Sequence, residues 1–320
     1  MKKISIIIPL YNLEGLIGKC IASALDQDLP HEEYEVIVVD DGSTDGSLAA
    51  AQRAACGHAN VQVHAKPNEG VSLARNYGTE RAAGRYVMYV DADDYLSPSV
   101  LGGLTQIMDR ERLDMLCFDM AGVDEHGGDL PLWSDGLFAR GGGEVQSGRD
   151  FLRRDCFLPM ACAYLYDRAM LERHGLGMLP MRHEDEEFTP RAIYFAKRIR
   201  YVPIRVYNYL QHNESFMGSY DPQHRSDFVR AMKSLTSFAA RIEESDPEGA
   251  RLMRLHVGKT MFFACKQTIL GRQGNAREML RDARQQGVLP LAFRRYNFRH
   301  FLINRAPALF VLYYRLHKRR

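Results

Sequence analysis

Three carboxylates fall within four positions at Asp91-Ala92-Asp93-Asp94. Acids this close repel one another unless a cation sits among them, and hard carboxylate oxygens suit Mg2+ or Mn2+. A solvated acidic turn has the same spacing, so the neighbouring sequence has to decide. Tyr86 to Val90, after Gly84, alternates β-branched and aromatic residues with Met88, the pattern of a buried strand. Ser97-Pro98 is expected to open a helix. Carboxylates at the carboxyl end of a strand lie at the crevice where open α/β sheets take their ligands.

The preceding elements build that setting. Ile4 to Ile8 is a run apolar but for Ser5, as in a strand covered on both faces of a parallel sheet. Lys2-Lys3 before it imitates a secretory leader, but Pro9, Asn12 and Glu14 arrive too soon, so it reads as a first strand. Leu13, Leu16, Ile17, Cys20, Ile21, Ala24 and Leu25 recur at helical spacing. Val36–Val39 and Val61–Ala65 are expected as strands, and Ser47–Ala55 and Val71–Ala83 as helices, the latter capped by Gly84. This alternation predicts an α/β doubly wound, mostly parallel sheet flanked by helices. Beyond Tyr220 only helical periodicity remains, giving domains at 1–220 (a nucleotide-binding half at 1–97, an acceptor half at 98–220) and 221–320.

Composition excludes several classes. With 46% hydrophobic and 26% charged residues, the 320-residue chain has ample material for a core. Its six cysteines show no Cys-x-x-Cys pair, which fits free thiols in a reducing compartment. The turn Pro9-Leu10-Tyr11-Asn12-Leu13-Glu14 lacks the glycine fingerprint of a dinucleotide dehydrogenase. Gly258-Lys259-Thr260 is only half a phosphate loop, with Met253 where the first glycine belongs. His183-Glu184 has no second histidine at zinc-protease spacing.

Four segments in order then carry a resemblance: Ile7-Ile8-Pro9-Leu10-Tyr11-Asn12, Val38-Val39-Asp40-Asp41-Gly42-Ser43-Thr44-Asp45, Asn68-Glu69-Gly70-Val71-Ser72-Leu73-Ala74-Arg75-Asn76 and Asp91-Ala92-Asp93-Asp94. They resemble the ordered motifs of family 2 glycosyltransferases of the bacterial polysaccharide type, which have the GT-A fold. The similarity extends through His183-Glu184-Asp185-Glu186-Glu187-Phe188 and Val206-Tyr207-Asn208-Tyr209. It implies a metal-dependent, inverting transfer of sugar from a nucleotide-sugar donor, expected to be a UDP-sugar, to a saccharide or lipid-linked saccharide hydroxyl.

The resemblance places Asp40 on a base N–H; a turn residue bonding its own backbone is the plainer role. Tyr11 offers a face for the base or is a half-buried surface ring, and Glu14 also suits a helix start. Pro9, Asn12, Asn68, Gly70 and Ala92 are expected around the nucleotide sugar, although Asn68 and Gly70 equally suit a tight turn. Arg75 would reach base or phosphate with its planar guanidinium, where a solvated helix cation is the default. By resemblance Asp91 lies near ribose and metal, Asp93 coordinates Mn2+ or Mg2+, and Asp185 is the catalytic base; Asp94 could cap the next helix. Glu184 and His212 are weaker candidates on the acceptor side. The four acids Glu184–Glu187 are also what a helix dipole favours in a first turn. Where relatives often carry a tryptophan, this chain has Ala161-Cys162-Ala163-Tyr164, and its only tryptophan is Trp133.

The rival from another class is a non-catalytic nucleotide-sugar binding protein; the rival among enzymes is a sugar nucleotidyltransferase, which would need a glycine- and lysine-rich first loop. From Leu291 to Arg320 there are eight Lys or Arg and no acid, so the remainder nets −6. Residues 305–320 are therefore expected either to dock on the protein's own core or to lie in a membrane interface. A cytoplasmic protein at the inner face of the membrane follows as an expectation, with no nucleic-acid partner. Asn213-Glu214-Ser215 matches a glycosylation sequon that has no meaning in the cytosol.

Overall fold

The computed structural model describes residues 2–132, 136–211, 222–271 and 274–317. Trp133, His212, the sequon at Asn213 and the last three basic residues lie outside them. Two compact units form, Met1–Pro180 with Phe188–Ser215, and Met181–Glu187 with Phe216–Arg320. The stretch Met181–Glu187 thus belongs to the second unit although it precedes residue 220.

The first unit is built on a nine-stranded sheet. Strands β1 (Ile4–Leu10), β2 (Tyr34–Asp40), β3 (Val61–Ala65) and β4 (Tyr86–Tyr89) pair in parallel in the order β3-β2-β1-β4. Helices α1 (Ile17–Leu25), α2 (Ser47–Ala55) and α3 (Val71–Arg81) connect them. Every residue of β1 and β2 is buried, which accounts for their mostly apolar sequences; the buried Ser5 and Glu35 pair with each other, Ser5 Oγ donating to Glu35 Oε1 at 2.6 Å. The register sets Leu10 beside Asp40 and Asp40 beside Ala65, so these carboxyl ends are level.

Past β4 the sheet becomes mixed. Strand β5 (Tyr95–Leu96) precedes α4 (Leu101–Glu111), so Ser97-Pro98 follows a short strand instead of opening a helix. Next come β6 (Met115–Val123), β7 (Asp129–Leu130), α5 (Gly148–Arg154), β8 (Tyr164–Asp167), α6 (Arg168–Arg173), α7 (Glu184–Phe195) and β9 (Ile199–Leu210). Strand β8 pairs antiparallel with β4 and β6, β6 runs parallel to β9, and β9 pairs antiparallel with β5. Gly84 is not the cap of α3, which ends at Arg81. It allows a close approach: a Cβ there would meet the Ser5 backbone nitrogen at 2.5 Å.

The second unit holds α8 (Pro222–Ile242), α9 (Pro247–Gly271), α10 (Ala276–Gln285), α11 (Phe298–Arg305) and α12 (Pro307–Leu316). Met232 and Leu235 of α8, Met253 and Met261 of α9, Leu280 of α10 and Phe310 of α12 are among its buried apolar residues. Gly258 lies inside α9, where a Cβ would meet the Ala292 carbonyl oxygen at 1.9 Å, so this glycine serves packing. No described helix is long and apolar enough to cross a membrane.

Candidate active site

Two adjacent aspartates at the end of β2 take different environments. Asp41 is satisfied on every side: it accepts from Lys66 Nζ at 2.7 Å, Glu69 N at 3.0 Å and Gly70 N at 2.7 Å. It thereby ties the loop before α3 to the end of β2. Gly70 must be glycine there, because its φ of 94° with ψ of 159° is a region other residues essentially do not enter. Asp40 is only 3% exposed. Its Oδ2 accepts from Ser43 N at 3.3 Å, but Oδ1 is buried with no hydrogen-bond partner. The backbone-turn role is therefore half realised, and one acceptor remains at the strand end. A buried carboxylate oxygen without a donor costs free energy, so it marks a place where a ligand N–H fits.

The loop after β1 is stitched to the loop after β2 by the other expected nucleotide-binding residues. Asn12, at φ 51°, accepts through Oδ1 from Thr44 N at 2.8 Å, and its own N donates to Ser43 Oγ at 3.0 Å. Glu14 Oε2 accepts from Gly46 N at 3.1 Å. Both side chains thus shape the crevice wall. Pro9 lies inside β1 opposite Val39. Tyr11 stands 48% exposed, with a ring face available for a planar base. Asn68 is exposed and packs its backbone against Gly42, where a Cβ would meet Asn68 N at 2.7 Å.

Arg75 is not a solvated helix cation. It is buried on α3, and its Nη2 donates to Asp91 Oδ1 at 2.5 Å. The acidic turn after β4 is thereby anchored at its first carboxylate. Asp94 anchors its end: Oδ2 accepts from the Tyr207 hydroxyl at 2.6 Å and Oδ1 from Leu210 N at 2.8 Å. It caps no helix. Burial, then the charges of Asp93 and Asp91, hold the Asp94 carboxyl well above the usual range against the pull of those two bonds. The Tyr207 hydroxyl also accepts from Asp91 N at 3.1 Å, so one phenol on β9 gathers both ends of the turn. Ala92 is buried, and Asp93 is half-buried.

No group of three or more His, Cys, Asp or Glu side chains among the described residues could cage a metal ion. Mg2+-type sites commonly use one or two carboxylates together with substrate phosphates. Asp93 and Asp91 present the hard oxygens such a shared site needs.

In the second unit, Met181–Glu187 carries the remaining candidates. Glu184 to Glu187 form the first turn of α7, where acids complement the helix dipole. Glu184 and Glu187 are buried, and Glu187 accepts from Ser234 Oγ at 2.7 Å. Asp185 is half-buried, and its Oδ1 accepts from Glu186 N at 2.8 Å. Sequence reading gave His183 no role, yet its Nδ1 lies 3.1 Å from Glu186 Oε2 and its ring packs on His224 and Phe228. Burial pulls the His183 pKa down, but the bond to Glu186 and the charges of Glu186, Asp185 and Glu184 outweigh it, for a net rise.

A sequence model of the family described as Glycosyl transferase family 2 matches residues 5–174. The chain belongs to glycosyltransferase family 2. The match spans the β1, β2 and β4 motifs of this glycosyltransferase chain and ends before Asp185. Among curated relatives, the uncharacterized glycosyltransferase YibD of Escherichia coli K12 is 31% identical over 67% of this chain and 62% of its own length. The poly(ribitol-phosphate) beta-glucosyltransferase of Bacillus spizizenii is 29% identical over 79% of this chain and 39% of its own. The chain therefore spans less than two thirds of the length of these relatives. Among solved structures, S. aureus TarS 1-349 in complex with UDP-GlcNAc superposes with a TM-score of 0.74 at 23% identity, covering 99% of this chain and 90% of that one. Its complex with UDP superposes with the same TM-score of 0.74 at 21% identity, over the same shares of both chains (99% and 90%). These likenesses establish the GT-A fold.

Proposed function

We propose that this protein transfers a sugar from a UDP-sugar to a hydroxyl of a saccharide or lipid-linked acceptor in cell-surface polysaccharide synthesis, with inversion at the donor carbon. The observation that carries the reading is the buried, unpartnered Oδ1 of Asp40 at the end of β2. Uracil presents an N–H of the kind this oxygen lacks, and the solved relatives described above hold UDP and UDP-GlcNAc. Tyr11 supplies the stacking face, and Asp41, Asn12 and Glu14 hold the loops that form the wall. The poly(ribitol-phosphate) transferases among the relatives make a hydroxyl-rich surface polymer the acceptor class of choice.

A divalent cation, Mn2+ or Mg2+, would be held by Asp93 with Asp91 and the donor's diphosphate, and as a Lewis acid it offsets charge on the leaving group. Arg75 keeps the Asp91 carboxylate oriented, and Tyr207 and Asp94 keep the turn from moving. Asp185 is assigned proton removal from the acceptor hydroxyl. That hydroxyl is too weak an acid to ionise beforehand, so its proton leaves as the new bond forms. A single displacement of this kind needs no covalent enzyme nucleophile.

The test is donor turnover across UDP-, GDP- and dTDP-sugars, each with Mn2+ and with chelator. Release of UDP from one UDP-sugar, dependent on metal, is expected. UDP binding without turnover of any donor, with acceptor extracts present, would leave a binding protein in place of an enzyme.

A further inference from the structure

The C-terminal helices present an apolar and cationic surface that contains none of the candidate site residues described above. On α12, Phe310, Val311 and Tyr314 are buried, and Phe262 of α9 meets the Phe310 ring at 5.5 Å. On the same helix Leu309, Leu312 and Leu316 are exposed, at 55%, 45% and 71%. One side of this helix thus docks on the protein's own core, and the opposite side is exposed. Helix α11 repeats the division: Leu302 and Ile303 are buried, while Phe298 and Phe301 are 63% and 47% exposed. Phe298 packs edge-on against Tyr313 at 6.2 Å, which joins the two outer stripes. Of the ten large exposed apolar residues among the described residues, six lie between Tyr296 and Leu316. Arg294, Arg295, Arg299, Arg305 and Arg315 are exposed among them, and residues 291–320 contain no carboxylate.

We propose that the α11–α12 face, from Arg294 to Leu316, binds the surface of an anionic lipid bilayer. Two features select this occupant. Cations without a single acid would repel across a self-paired interface, whereas they complement an anionic surface. Three leucines at i, i+3 and i+7 carry no hydrogen-bonding atoms to read a nucleic acid, yet they suit the boundary between headgroups and acyl chains. Aromatic rings interleaved with arginines belong at the same level. The helix is too short to span, so the contact is peripheral. This inference rests on the surface alone and holds whichever sugar is transferred.

The full-length protein is sedimented with vesicles of phosphatidylcholine containing phosphatidylglycerol, and with pure phosphatidylcholine, at low and high salt. Pelleting with the anionic vesicles, weakened by salt, is expected. The triple variant Arg294→Gln, Arg295→Gln, Arg315→Gln should bind about a hundredfold more weakly, at about fivefold per cation. Leu309→Ser with Leu312→Ser and Leu316→Ser should lower binding about tenfold or more even in low salt. Both variants change exposed positions, so circular dichroism and donor turnover in solution should match the parent. Absence of pelleting, or equal pelleting by parent and variants, overturns the proposal. A dimer in solution that the leucine variant dissociates assigns the face to a second copy, and comparable binding of duplex DNA by the parent assigns it to nucleic acid; either overturns it too.

Discussion

Asp40 and Asp41 show how identical neighbours divide labour. Asp41 is satisfied by three donors and is a fastener. Asp40 holds one buried oxygen in reserve, an arrangement that costs stability until a ligand supplies the donor. Asp40→Asn should therefore leave the melting temperature unchanged or raised, since the buried charge is gone. UDP affinity should fall about tenfold or more, the scale of a hydrogen bond to a charged group. Calorimetric titration and thermal melts check both halves, and a variant that melts lower yet binds UDP normally would make Asp40 structural. Asp185→Asn is expected to bind UDP as the parent does and to lose turnover by about a hundredfold or more, because the amide cannot take a proton. If Glu184→Gln is the inactive variant instead, the helix is right and the base is misassigned.

At the scale of elements, much of the nucleotide half could be read from local pattern. Strand β3 and helix α2 fall at their expected limits, and Asp40, Asp91 and Asp93 sit at or just after strand ends because apolar runs stop there. What could not be read depends on partners far away in sequence. Tyr95 pairs with Asn208, and Asp94 is held by Tyr207, so neither β5 nor the role of Asp94 has a local signal. Tyr207 itself stands in a quoted motif, but a tyrosine in a strand reads as core. Removing its hydroxyl takes one bond from each end of the acidic turn, leaving Arg75 on Asp91 and Leu210 N on Asp94. Tyr207→Phe should cost about 1–3 kcal/mol of stability and weaken Mn2+ binding in the presence of UDP; unchanged metal affinity would limit it to packing. The start of α7 carries a pH signature. The His183 pKa is raised above its ordinary value near 6.5. Its protonated form is the one the fold favours, so that stability is complete below the unfolded value and is lost as pH rises through the folded one. Glu186→Gln removes the partner and should flatten this alkaline loss. His64, His174 and His300, whose pKa values are lowered, titrate in both proteins and cancel in the difference. Parallel melting curves for the two proteins from pH 5.5 to 9 would sink the assignment.

For the molecule as a whole, the proposed function has donor and cation bind as one unit. Among the described residues no side-chain group cages a metal, while Arg75 already partly neutralises Asp91. The free protein should therefore hold Mn2+ weakly, and UDP should supply the missing oxygens. Ligands that bind only the folded state stabilise it by mass action, by about 2.7 kcal/mol at a hundred times their dissociation constant. Thermal melts should then show little shift with Mn2+ alone, a modest rise with UDP in chelator, and a larger rise with both than the two separate shifts combined. Asp93→Ala should erase that excess and keep the modest UDP shift, because in the proposed site Asp40 and Tyr11 would hold the base without help from the cation. Asp40→Asn should do the reverse, reducing the shift with UDP in chelator while some metal-dependent increment survives. Additive shifts in the parent would mean that metal and nucleotide bind apart, and the shared-cation reading of Asp91 and Asp93 would fall even if sugar transfer were observed.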